Sequence, residues 1–419
     1  MRQYRIRGKS RISGDICIGG AKNAVLPILA AVCLNESESE IYNCPPITDT
    51  FVSLDILQAI GCKVYFEGEH LRVKPPANLL HNIPTESVSK MRSSILFMGA
   101  MLGRVGKVNI AMPGGCELGN RAIDLHLRGL RAMGATIHEI GNRLYCEAPR
   151  LHGAKIHLHT ASVGATENLM LAAVLAKGET LIQNAAREPE IIDLAVFLNS
   201  MGAQVDGAGT DTIYINGVAK LYEAKPHRIM PDRIVAGTYM VAAAMTHGNI
   251  ALHNTRPEDM QPITNQLTAM GCKIYTQGNS MVLIAPEKLN AVPYIATEVH
   301  PGFPTDMQAQ FVAALAIANG TSKVTENIFD KRFAHAGELN KMGANISVTG
   351  QTFEIVGQET LQGTTVAAHD LRCGAALVLA GLAAEGETIV QNAEYVERGY
   401  TAIERDLTSL GADIKLEVS

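Results

Sequence analysis

Leu267-Thr268-Ala269-Met270-Gly271-Cys272 is one copy of the phrase that organises this chain: Leu, two residues, an apolar residue, Gly, then Ala or Cys. The phrase recurs at Leu57–Cys62, Leu130–Ala135, Leu198–Ala203, Leu339–Ala344 and Leu407–Ala412. Copies lie about 70 residues apart, too far for a solenoid and suited to a small supersecondary unit. Each follows amphipathic helical spacing and precedes a β-rich run such as Cys272-Lys273-Ile274-Tyr275. The Gly is therefore expected to end a helix and feed a strand.

A second signature lies upstream of the phrase. An Ala-rich apolar helix leads into a β-branched strand that usually ends at Asn, as in Leu181–Asn184, Ile250–Asn254, Val324–Asn327 and Thr388–Asn392. Each unit then reads helix, strand, loop, helix, strand, strand. The first helix is apolar nearly all round and must be enclosed. An α/β fold of two three-unit domains is expected, with helices inside and strands outside. The alternative, six units stacked in one array, would leave those helices uncovered.

At 419 residues, the chain exceeds one ordinary core, and a 47% hydrophobic content excludes a disordered chain. With 36 Lys+Arg against 41 Asp+Glu and 5% aromatics, neither a basic field nor base-stacking platforms point to nucleic acid. The basic start Met1–Arg7 has no apolar segment after it and reads as a strand. No apolar run reaches bilayer length, so no membrane association is expected. Eight Cys, at 17, 33, 44, 62, 116, 146, 272 and 373, form no CxxC. A reduced, cytoplasmic chain without zinc is expected, its Cys other than Cys116 being small core residues.

Departures from the repeat point to function. From strand end to phrase Gly most units span about 16 to 19 residues, whereas the second spans about 23, where short loops are the rule. The excess is Pro113-Gly114-Gly115-Cys116-Glu117-Leu118-Gly119-Asn120-Arg121, a candidate lid with one thiol and one guanidinium. The first helices begin near Lys22-Asn23, Arg92-Ser93-Ser94, Ser162-Val163-Gly164, Asp232-Arg233, Thr305-Asp306 and Asp370-Leu371-Arg372. Ser, Asp and Asn are ordinary N-caps. Lys22, Arg92, Arg233 and Arg372 are not, and at helix N-termini they suggest an anionic ligand.

These motifs, with Gly20–Ala24, Ser162–Thr166, Glu188–Ile191, Pro231–Ile234, Phe303–Gln308 and Arg398-Gly399-Tyr400, resemble the UDP-N-acetylglucosamine enolpyruvyl transferases from Arg7 to Ile414. The resemblance implies two inside-out α/β barrel-like domains, each of three βαβαββ repeats, with the active site in the cleft between them. It implies a first domain at 22–229, and a second made of 1–21 and 230–419. The implied reaction moves enolpyruvyl from phosphoenolpyruvate to the sugar 3′-hydroxyl and releases phosphate, the first committed step of peptidoglycan synthesis. No cofactor, metal or obligate protein partner is implied.

The resemblance assigns Cys116 as the acid that protonates the methylene carbon, Asp306 as the base at the 3′-hydroxyl, and Lys22 as a catalytic cation. Phosphoenolpyruvate would be held by Lys22, Asn23, Arg121 and Arg398, whose charges suit a phosphate and a carboxylate. The nucleotide-sugar would meet Asn23, Arg92, Arg121, Ala122, Ile123, Asp124, Leu125, His126, Ser162, Val163, Gly164, Asp306 and the backbone near Ile328. Asp370 and Arg372 would assist domain closure through an ion pair. Glu188 and Glu190 are expected to be caps or structural partners.

Two residues depart from the family pattern. Ala122 replaces the usual Pro after the loop Arg, which frees φ and should loosen the empty lid. Glu117 places a carboxylate beside Cys116, which should raise the thiol's pKa. Alkylation of Cys116 by thiolate-directed reagents, fosfomycin among them, should then be slower than with a neutral neighbour. Glu117→Ala should move the rate-versus-pH curve to lower pH; an unmoved curve contradicts this. Two alternatives stay open: a 3-phosphoshikimate 1-carboxyvinyltransferase, which lacks the Cys loop, and a non-catalytic UDP-sugar-binding paralogue.

Overall fold

All six copies of the phrase end a helix in the same way in the computed structural model, which describes residues 2–113 and 123–418. The N–H of the final Cys or Ala donates to the carbonyl of the leading Leu at 2.9 to 3.2 Å. The Gly N–H donates to the residue after that Leu at 2.9 to 3.1 Å. These paired bonds are the Schellman closure, which requires a left-handed residue next to last. The six Gly have φ between +89° and +103°, and the six Leu are fully buried. Each position of the phrase thus has one job: Leu anchors the last turn, and Gly reverses the chain. A Cβ on Gly343 would touch nothing within 4 Å, so Gly343→Ala isolates the conformational cost. We expect a loss of about 1 kcal/mol in denaturant unfolding.

The first helices of the units, Lys22–Ala31, Leu96–Val105, Val163–Ala173, Arg233–Met245, Gln308–Leu315 and Leu371–Ala383, are buried over most or all of their length. The first three pack on one another, and so do the last three. The second helices, such as Gln261–Ala269 and Ile403–Ser409, bury only one side. Strands form five four-stranded sheets and one three-stranded sheet among the described residues. In Tyr294–Ala296, Thr321–Thr325, Thr352–Val356 and Asn345–Thr349, one unit's order is visible: a parallel edge pair, then an antiparallel hairpin.

The chain divides into two compact units, one of residues 20–230 and one of 2–19 with 231–418, among the described residues. Each closes one sheet with a strand distant in sequence. In the first, His227–Arg228 pairs in parallel with Ser39–Tyr42. In the second, Arg2–Arg7 lies antiparallel between Glu387–Gln391 and Asp413–Val418, with Tyr4 opposite both Val390 and Leu416. Ser13–Cys17 adds in parallel to Asn249–His253. Each unit encloses its own hydrophobic core.

The strand-ending Asn is also explained, with one correction. Asn43, Asn184, Asn254 and Asn392 have φ between +54° and +59°. Each donates its amide to the carbonyl just past the parallel edge strand, at 2.6 to 3.0 Å. Asn tolerates this left-handed conformation better than most residues. Asn327, grouped with them by sequence, is not equivalent: in the fifth unit the residue after the strand is Glu326.

Among the described Cys, six are buried, but Cys17 is exposed at the end of Ser13–Cys17 and is not a core residue. Burial pushes the thiols of Cys44, Cys146, Cys272 and Cys373 up to about 12, which makes them inert. Among the described residues no helix is long and apolar enough to cross a membrane. Cys116, Glu117, Arg121 and Ala122 lie outside the described residues.

Candidate active site

Two units lack the strand-ending Asn: the second has Met112 there and the fifth has Glu326. This buried carboxylate accepts from the Thr297 hydroxyl at 2.9 Å, the Thr305 hydroxyl at 2.9 Å, and the N–H groups of Ile328 and Phe329 at 2.9 and 3.0 Å. It ties the loop after the strand to the turn Thr305–Met307, which leads into Gln308–Leu315. The Ile328 N–H is thereby committed to Glu326.

Asp306, in that turn, lies between two buried guanidiniums. Arg332 Nη1 is 2.9 Å from Oδ1 and Arg372 Nη2 is 2.8 Å from Oδ2. Burial alone would push this carboxyl up, but Arg372 and then Arg332, by charge and hydrogen bonding, hold it well below the usual carboxylate range. Arg332 also bonds the Thr305 hydroxyl at 2.8 Å and lies over the Phe329 ring, 4.5 Å from its centroid. Arg372 belongs to the next unit's first helix. Its neighbour Asp370 caps that helix, accepting from the N–H groups of Arg372 and Cys373 at 2.8 and 3.0 Å. Asp370 and Arg372 thus serve two tasks: a cap, and a clamp on Asp306. Arg398 ends the short helical turn Ala393–Arg398.

In the unit of residues 20–230, Lys22 begins its helix without a side-chain cap. Its ammonium is 2.7 Å from Asp49 Oδ2, with side chains 11% and 3% exposed. Lys22 and Arg372 therefore each have a carboxylate partner already. A desolvated cation at a helix N-terminus is opposed by burial and dipole together, and a carboxylate offsets both.

Of the other predicted nucleotide-sugar residues of this unit, Arg92, Asp124 and Gly164 lie around His126. Ile123 and Asp124 begin the helix that carries Leu125 and His126. Ser162 caps Val163–Ala173 by accepting from the Ala165 N–H at 3.3 Å. A Cβ on Gly164 would stand 3.4 Å from His126 Cε1. Burial, then the charge of Arg92, lower His126 to about 4 against a smaller opposing effect of Asp124. Asn23 follows Lys22 in its helix, and Arg92 opens the turn Arg92–Ile95. Arg233 is buried behind its cap Asp232, which accepts from Ile234 and Val235.

Glu188 stands at the N-cap position of Pro189–Ser200 without capping it through its side chain, and Glu190 lies in its first turn. Burial, then Glu190 and Glu188, push the carboxyl of Glu167 well above the usual carboxylate range. Sequence reasoning missed Arg332, Asp49, Glu326 and Asn168. No local pattern marked them, since Asn327 made the fifth unit look like the others.

His335 behaves like His126: burial first, and also Arg332, lower it to about 4 against Asp370. Both imidazoles are neutral when folded but bind protons when unfolded below about pH 6.5, so stability rises with pH across that window. Taking the protein from pH 7 to 5 should cost up to roughly 2 kcal/mol per imidazole, read by denaturant melts. His126→Gln should remove one share of that slope.

Residues 6–407 match the family model of EPSP synthase (3-phosphoshikimate 1-carboxyvinyltransferase), and the chain belongs to that family. It is 49% identical to UDP-N-acetylglucosamine 1-carboxyvinyltransferase 2 of Caldanaerobacter subterraneus subsp. tengcongensis, over 99% of each chain. It is 47% identical to UDP-N-acetylglucosamine 1-carboxyvinyltransferase 1 of Symbiobacterium thermophilum, over 98% of this chain and 94% of the relative. Among solved structures it resembles the enolpyruvyl transferase NikO of Streptomyces tendae, with TM-score 0.90 and 25% identity over 100% of this chain and 99% of the other. The fold of EPSP synthase from Acinetobacter baumannii also matches, with TM-score 0.74 at 19% identity over the whole of both chains.

Proposed function

We propose that this protein is a UDP-N-acetylglucosamine 1-carboxyvinyltransferase, which moves the enolpyruvyl group of phosphoenolpyruvate to the sugar 3′-hydroxyl and releases phosphate. The observation that carries the reading is the 49% identity, over 99% of each chain, to a relative of that name. The clamp keeps Asp306 ionised, as a proton acceptor must be, while the two guanidiniums also lower its basicity.

In the proposed reaction a proton passes from Cys116 to the methylene carbon of phosphoenolpyruvate, and the sugar oxygen adds to the neighbouring carbon. The hydroxyl proton leaves toward Asp306. The C–O bond to phosphate then breaks as a proton leaves the new methyl group, which restores the double bond. Lys22, Asn23, Arg121 and Arg398 hold phosphoenolpyruvate. Arg92, Arg121 to His126, Ser162 to Gly164 and Ile328 hold the nucleotide-sugar. The product feeds peptidoglycan synthesis in the cytoplasm, and fosfomycin would act by alkylating Cys116.

Phosphate release with UDP-N-acetylglucosamine and phosphoenolpyruvate tests this reading. Release with shikimate 3-phosphate instead would favour the sister activity of the family. Tight UDP-sugar binding without release would favour a sensor.

A further inference from the structure

We propose that Asn168 is a positioning residue: it fixes His126 in the tautomer with its proton on Nε2, so that the imidazole N–H joins the first turn of Val163–Ala173 in meeting an acceptor oxygen of the ligand. The ligand's identity as a nucleotide-sugar rests on the function proposed above. The tautomer does not.

Hydrogen bonds link buried Gly99, Asn168 and His126 in one chain. Asn168 is 0% exposed. The Gly99 N–H donates to Asn168 Oδ1 at 2.8 Å, and Asn168 Nδ2 stands 2.9 Å from His126 Nδ1. A backbone N–H can only donate, so the amide must turn its oxygen to Gly99 and its NH2 to the histidine. An NH2 also only donates, so Nδ1 must accept and the ring proton resides on Nε2. Flipping the amide would set two donors against each other at Gly99, and an imidazolium would do so at Nδ1. The assignment therefore follows from donor and acceptor chemistry and not from how the amide atoms are labelled. Gly99 is part of the device: a Cβ there would fall 2.4 Å from Asn168 Oδ1 and 2.2 Å from its carbonyl oxygen.

The other ring edge faces the helix start. A Cβ on Gly164 would stand 3.6 Å from His126 Nε2, at ordinary contact distance, so the Nε2 edge lies beside the first turn, whose N–H groups lack intrahelical acceptors. Besides burial, Arg92 disfavours and Asp124 less strongly favours a charged His126. The site so built offers donors, and it suits a carbonyl or phosphate oxygen and not an ammonium group.

Selective 15N-histidine labelling of the ligand-free protein tests the tautomer, with His126 assigned by its loss in His126→Gln. We expect Nδ1 to show the unprotonated and Nε2 the protonated signature; the reverse pattern, or an imidazolium at neutral pH, overturns the proposal. Asn168→Asp keeps an acceptor for Gly99 but turns a second acceptor toward Nδ1, which draws the ring proton there. The variant's affinity for UDP-N-acetylglucosamine should be weaker by about tenfold near pH 8.5 and recover toward about pH 6, as the ring takes a second proton. The unsubstituted protein should show no such recovery. If Asn168→Asp binds as tightly as the unsubstituted protein at both pH values, the positioning role is overturned. Failure of the unsubstituted protein to bind this sugar would overturn the ligand assignment and leave the tautomer to the spectrum.

Discussion

Asp306→Asn is expected to lower the rate of phosphate release by about 10²- to 10⁴-fold, the range a positioned general base supplies. Asn keeps the size of the side chain and one acceptor for Arg332 or Arg372, so the turn Thr305–Met307 should persist and UDP-N-acetylglucosamine should still bind. The clamp adds a pH signature. Two guanidiniums hold the folded carboxyl well below its ordinary value, so Asp306 is ionised throughout the working range. Its contribution to stability is complete above the unfolded value of about 3.9 and is lost only as pH falls through the lower folded value. The acid limb of kcat/KM should therefore not come from Asp306 in the unsubstituted enzyme. Removing one guanidinium by Arg332→Met should raise the carboxyl and bring an acid limb toward measurable pH. A rate untouched by Asp306→Asn contradicts the assignment of the base.

Breaking the Lys22–Asp49 pair is the second large effect. The side chains are 2.7 Å apart and almost wholly enclosed. Truncating one partner of such a pair typically costs about 3–5 kcal/mol, because it leaves the other charge buried without that partner. We expect Asp49→Leu to cost about 3 kcal/mol in denaturant unfolding. The double variant Lys22→Met/Asp49→Leu should recover much of that stability, since both charges are gone. Turnover should not recover with it, because phosphoenolpyruvate loses a cation in the double variant. A double variant that regained activity would show Lys22 to be structural.

What could be read from sequence was what local hydrogen bonding dictates. The Schellman closure places Leu, Gly and the final small residue within six positions, so its six copies were visible without a structure. The left-handed Asn was visible for the same reason, and Asn327 misled because an Asn one place beyond the true position looks the same in a string. Lys22 stood out as an odd residue at a helix start, whereas Asp306, an ordinary cap by type, was marked only by the family resemblance. Of their partners, Asp49 on the following helix and Arg332 on a loop did not stand out, and Arg372 did so without any sign that it reaches Asp306 from the next unit. Asn168 looks like any buried polar residue in an Ala-rich helix until Gly99 and His126 are placed around it. Such contacts depend on how helices pack, which no local pattern encodes.

The product of the reaction decides whether the protein transfers enolpyruvyl to the sugar. Incubated with UDP-N-acetylglucosamine and phosphoenolpyruvate, the enzyme should release one phosphate per sugar consumed, and NMR of the purified product should show an enolpyruvyl ether on the 3′ oxygen. An unaltered sugar, or transfer only to shikimate 3-phosphate, would contradict it.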